Sequence, residues 1–205
     1  SFAEPAHLLS VVREGGGNEV AGVVRQQLSD PNLTAARKQV LAELLAHIGN
    51  TADAELALKL GSANPAVLRA LVNAALERNL KAPANAVPLL GPQLKSGSAR
   101  LEVVRLIGVW QLNVYTQAIK DTAAGRTEPI TIRVAAADAL GQLSGPQVAE
   151  TLAKLTVFNE PNNLRAAALE SLARHDVVRA ARLAAGLVGK VKPDELGPLM
   201  AALLQ

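Results

Sequence analysis

The chain of 205 residues contains no cysteine, which excludes a disulfide, a thiolate-bound metal, a thiol nucleophile and haem attachment through Cys-x-x-Cys-His. That suits a reducing cytosol, and equally an exported protein that does without disulfides. Aromatic residues are only 2% of the chain, while apolar residues reach 49%. A core must therefore come from Ala, Leu and Val, which favours close-packed helices over a β-sandwich. No run approaches the ~18 uninterrupted apolar residues of a membrane span. The most apolar stretch, residues 180–188, is broken by Arg182, so no membrane insertion is expected. The net charge of +3 is small, without the clustered basic stripe that nucleic-acid binding uses. The chain opens Ser1-Phe2 with no Met and no charged-then-apolar leader. It is expected to be a single repeat domain, 1–205, cut or processed from a longer chain.

Chemistry-bearing patterns are equally scarce. His7, His47 and His175 lie far apart, none with a partner at metal-ligand spacing, and no His-Glu-x-x-His occurs. His47 and His175 are placed at helix C-termini, where the helix dipole favours a cation. Gly186-Leu-Val-Gly189-Lys190-Val191 lacks the first glycine of a phosphate loop, and Val191 replaces the magnesium-binding hydroxyl. Gly15-Gly16-Gly17 before a helix reads as a flexible turn rather than an anion cradle. There is no Gly-x-Ser-x-Gly elbow. The expectation is a non-enzyme with no catalytic residue, no metal and no cofactor.

What the chain has is a ruler. Pro65, Gly97, Pro129, Pro161 and Pro193 stand 32 residues apart, and four residues later a column runs Arg69, Leu101, Arg133 and Arg165, extended back to Arg37. A period of this size marks stacked supersecondary units. Three residues past the column stand Val40, Val72, Val104, Ala136 and Ala168; seven past it stand Leu44, Leu76, Gly108, Leu140 and Leu172. Spacings of three and seven share one helix face, so each unit is predicted to bury that stripe of an amphipathic helix. Each proline is placed at the first helical position, where its missing N–H has no intrahelical partner, with Asn64, Glu128 or Glu160 before it. Second helices are predicted at 52–60, 86–94, 114–123, 147–155 and 177–188. Further helices are expected at 5–13, 19–28, 32–48 and 194–204. Arg37, Arg69, Arg133 and Arg165 sit one turn before the stripe and read as a structural ladder, stems packed and heads bonded to a neighbouring carbonyl or carboxylate.

Residues 133–143, Arg-Val-Ala-Ala-Ala-Asp-Ala-Leu-Gly-Gln-Leu, and 164–174, Leu-Arg-Ala-Ala-Ala-Leu-Glu-Ser-Leu-Ala-Arg, resemble the second helix of HEAT-like repeats, including the lyase-type subgroup. The resemblance covers residues 5–205 and is densest over 130–185; it departs at Leu101 and along 113–128. It implies an all-α, right-handed α-α superhelix (a HEAT/ARM-like solenoid) of about five to six helix pairs. It also implies second helices lining the concave face, and binding of proteins or occasionally nucleic acid. The run 192–204 further resembles the HEAT region of the membrane-bound dehydrogenases of planctomycetes and verrucomicrobia, which implies an exported, periplasmic setting.

With that orientation, the outward positions are Lys38, Asn73, Glu77, Arg78, Glu102, Arg105, Trp110, Asp138, Gln142, Glu170 and Arg174. Their mixed sign argues against a phosphate track. Trp110 is read two ways, as an exposed interface anchor beside Arg105 or as filler for the space that Gly108 leaves. The expected function is a protein-interaction or spacer module, its partner another protein or neighbouring domains of the same chain. A DNA-binding protein related to the alkylpurine DNA glycosylases is the alternative. A lyase-type domain acting on a tetrapyrrole rests on analogy of fold alone.

Overall fold

Caps decide where these helices start, and so which residues face the core. A computed structural model describes residues 17–157 and 159–187. The described residues are helical with no strand: α1 Gly17–Leu28, α2 Ala35–Ile48, α3 Thr51–Gly61, α4 Pro65–Arg78, α5 Ala86–Lys95, α6 Arg100–Val109, α7 Thr116–Ala124, α8 Ile130–Leu140, α9 Val148–Leu155, α10 Asn162–His175 and α11 Val177–Leu187. A 3₁₀ turn, Asn113–Tyr115, precedes α7. The expected helices at 5–13 and 194–204, with His7, Pro193 and Lys190, lie outside the described residues.

Asn64 caps α4 as expected, its Oδ1 accepting from Ala66 N at 2.9 Å, and Pro65 takes the first helical position. Pro129 and Pro161 do not. Each is itself the N-cap, at φ −54°, ψ 136° and φ −55°, ψ 144°, an extended residue feeding α8 and α10. Glu128 and Glu160 are therefore not the caps. Thr34 caps α2 through its side chain, accepting from Arg37 N at 3.3 Å.

These caps correct the column. Arg37 is the third residue past its cap, Arg69 the fifth, and Arg133 and Arg165 the fourth. One residue turns a helix by about 100°, so aligned residues point in different directions. Leu76 is 63% exposed, Val40 is 46% exposed and Leu44 is half-buried, whereas Leu140 and Leu172 are fully buried. Counting from the cap restores one stripe at the fourth, seventh and eleventh positions. It reads Lys38, Leu41 and Leu45 on α2, then Leu68, Leu71 and Ala75 on α4. On α8 it reads Arg133, Ala136 and Leu140, and on α10 Arg165, Ala168 and Leu172; all but the half-buried Lys38 are buried.

The chain divides into two compact units, with the boundary between Leu106 and Ile107, inside α6. In the N-terminal unit α1 packs on α2, α2 on α3 and α4, and α3 on α4 and α5. Ala21, Val24, Leu41 and Leu45 form a core there, backed by Leu28, Leu33 and Leu56. In the C-terminal unit α7 packs on α8 and α9, α8 on α10, and α10 on α9 and α11. Leu169, Ala184 and Leu187 close the α10–α11 side.

Small residues let neighbours approach in the C-terminal unit. A Cβ added at Gly108 would lie 2.8 Å from Ala139 Cα, and one at Gly141 would lie 2.8 Å from Ser171 Oγ. Ala139 thus lies where a side chain at Gly108 would begin, and Trp110, two residues on, is buried.

Candidate partner surface

The polar ties that join different helices within each unit are mostly about one repeat long. In the N-terminal unit Arg25 Nη1 meets Asp53 Oδ1 at 2.6 Å, a separation of 28 residues. Arg78 Nη1 donates to the Gly49 carbonyl at 3.0 Å across 29, and Asn85 Nδ2 to the Glu55 carbonyl at 2.9 Å across 30. Asp53 is 2% exposed and also closes a capping box with Asn50, whose backbone N–H it accepts at 2.9 Å. The Asn50-x-x-Asp53 spacing is a capping-box signature legible in the sequence, yet it was not singled out above.

In the C-terminal unit Ser144 N donates to Asn113 Oδ1 at 2.7 Å across 31 residues. Arg179 Nη2 reaches Glu150 Oε2 at 2.6 Å across 29. That hydrogen bond, then the charge of Arg179, holds the Glu150 carboxyl below the usual glutamate range, with Lys154 adding to the effect. His175 Nε2 lies 2.8 Å from the Leu140 carbonyl across 35 residues. It thus caps the end of α8 rather than its own helix.

The arginine column splits. Arg133 is buried, donates from Nε to the Ala123 carbonyl at 3.0 Å and pairs through Nη2 with Glu160 Oε2 at 2.9 Å. That last contact is an ion pair without hydrogen-bond alignment. Its partner Glu160 also faces Arg126 Nε at 4.0 Å. A buried guanidinium needs such partners, because an unpaired charge away from water is expensive. Arg165 is buried, with Nη2 3.4 Å from Asn162 Oδ1. Arg37 and Arg69 are exposed, carried off the buried face by their different distances from the cap, although Arg69 Nε still bonds a neighbouring carboxylate, that of Glu102, at 3.1 Å.

Of the proposed outward residues, Asn73, Glu77, Arg78, Arg105, Asp138 and Arg174 are exposed, and Lys38, Gln142 and Glu170 are half-buried. Arg174 Nη2 pairs with Glu170 Oε1 at 2.7 Å, one turn away. Two placements fail. Trp110 is 9% exposed, so it offers no exposed anchor, and an apolar ring of that size is stabilised by leaving water. Glu102 is 2% exposed, drawn inward by two arginines: Arg69 Nε at 3.1 Å and Arg105 Nη1 at 3.2 Å. The pattern reading also missed exposed apolar side chains, Leu76 in one unit and Val114, Val177 and Val178 in the other.

Shallow clefts open among the described residues of the N-terminal unit. One of about 250 Å³ is lined by Gln27, Asp30, Asn32, Leu33, Thr34 and Arg37. Another, about 450 Å³, lies over the Gly61–Pro65 loop with Gln39 and Leu60. Among the described residues no three His, Cys, Asp or Glu side chains converge as a metal site, and no helix is long and apolar enough to cross a membrane. Comparison with protein-family models, with curated proteins and with solved structures gave no match to this chain.

Proposed function

We propose that this chain is a HEAT-like repeat module, a right-handed α-α solenoid acting without catalysis as a protein-interaction surface or rigid spacer in a larger protein. One observation carries the reading. The ties Arg25–Asp53, Arg78–Gly49, Asn85–Glu55, Ser144–Asn113 and Arg179–Glu150 each span 28 to 31 residues, close to the 32-residue period of the sequence. Side chains that bond one repeat along, and small residues that close Gly108 on Ala139 and Gly141 on Ser171, suit a stack in which each repeat contacts its neighbours. Such a stack presents a long row of exposed side chains. Asn73, Glu77 and Arg78 in the N-terminal unit, and Asp138 and Arg174 in the C-terminal unit, are exposed and mixed in sign, which suits a protein partner better than a phosphate backbone.

The test is photo-crosslinking in the source cell, with a benzophenone residue placed singly at Asn73, Asp138 or Arg174 and, as reference, at Lys59 or Lys154. Adducts concentrated at the first three positions support an interaction surface, and adducts with flanking parts of the same chain support a spacer. A fluorescent duplex titrated in parallel decides the nucleic-acid alternative. Tight binding that falls by about a thousandfold between ~50 and ~200 mM salt would overturn the proposal.

A further inference from the structure

Two arginines of the N-terminal unit converge on one carboxylate. Arg69 on α4 donates from Nε to Glu102 Oε1 at 3.1 Å, and Arg105 on α6 donates from Nη1 to Oε1 at 3.3 Å and Oε2 at 3.2 Å. Glu102 is 2% exposed. A carboxylate taken out of water needs a cation, and one guanidinium is enough to neutralise it. The second guanidinium leaves the trio with a surplus positive charge.

That surplus faces outward. The Arg69 side chain is 63% exposed and that of Arg105 is 47% exposed. Arg69 engages only Nε and Arg105 only Nη1, so their other N–H groups hold no hydrogen bond among the described residues. The buried carboxylate orients both forks in advance, which lowers the ordering cost of binding. One turn past Arg69 stands Asn73, exposed and with its amide unbonded among the described residues; after it comes Leu76, 63% exposed. The outer face of α4 thus offers a guanidinium, an amide and an isobutyl group in order.

We infer that this face docks an acidic segment of a protein partner. A partner carboxylate sits on the outward N–H groups of Arg69 and Arg105, Asn73 bonds the partner main chain, and an apolar partner residue covers Leu76. The inference rests on the interaction-module reading and supplies its partner chemistry. A nucleic-acid strand fits less well, because it leaves the exposed Leu76 uncovered.

The probe is a fluorescein-labelled Asp-Glu-Leu-Asp-Glu-Leu peptide, followed by anisotropy with the full chain, against a control with Asn and Gln at the acidic positions. The acidic probe is expected to bind at least about tenfold tighter than the control, and Arg69→Gln or Arg105→Gln to remove about tenfold. Each single variant leaves Glu102 one arginine. Asn73→Asp, at an exposed site, is the fold-safe second variant and weakens binding by charge repulsion. Equal binding of probe and control, or unchanged affinity in folded Arg69→Gln and Asn73→Asp, overturns the inference. Crosslinks confined to Asp138 and Arg174 with no probe binding overturn this site alone and leave the module reading standing. Tight, salt-steep duplex binding overturns both.

Discussion

Leu76 and Leu140 occupy the same column of the sequence repeat, yet replacing each by Ala should have very different consequences. Leu140 is fully buried at the eleventh position past its cap, while Leu76 is the twelfth past its own and 63% exposed. Leu→Ala removes three carbons, about 2.4 kcal/mol of transfer free energy at about 0.8 kcal/mol each. At Leu140 a residual cavity of some tens of Å³ adds about 1–2 kcal/mol at ~24 cal/mol per Å³. The expected loss for Leu140→Ala is therefore about 3.5–4.5 kcal/mol. At Leu76 roughly a third of the transfer contribution applies, no cavity forms, and the better helix propensity of Ala offsets a few tenths, leaving about 0.5 kcal/mol. Urea denaturation followed by far-ultraviolet circular dichroism measures both, provided the slopes agree. If folded Leu76→Ala loses as much as Leu140→Ala, counting positions from the cap is the wrong way to find the buried face.

Gly108→Ala should destabilise by about 1–3 kcal/mol despite the helix preference of Ala, because its Cβ would meet the Ala139 backbone at 2.8 Å. In the same denaturation series Gly186→Ala, with nothing within 4 Å, should gain about 0.5 kcal/mol. Glu150 supplies a pH dependence: Arg179 holds its folded-state value below the unfolded one. Its contribution is therefore full above the ordinary glutamate range and lost as pH falls through the lowered value. Thermal melts of Glu150→Gln against the parent should accordingly converge on acidification, and a gap that widens instead would contradict the sign.

Much of the helical layout could be read without coordinates. The expected helices at 52–60, 86–94 and 147–155 match Thr51–Gly61, Ala86–Lys95 and Val148–Leu155, because Gly, Asn, Ser and Pro punctuate the chain where it must turn. The helix expected at 114–123 begins instead with a 3₁₀ turn, Asn113–Tyr115, beside the tie from Asn113 Oδ1 to Ser144 N. Leu140 and Leu172 were legible as core residues. The candidate surface was less so, because outward positions were counted from the arginine column and that column drifts.

The repeat period, the all-helical character and the absence of thiol chemistry belong to the sequence, since composition and turn residues act locally. Which residue caps each helix was decided in three dimensions. Pro65 follows a cap whereas Pro129 and Pro161 are caps, and a slip of one residue turns a side chain through about 100°. The burial of Glu102 was likewise a tertiary matter. No local pattern places two guanidiniums on one carboxylate, and only the approach of Arg69, 33 residues away, joins Arg105 there and keeps that charge out of water.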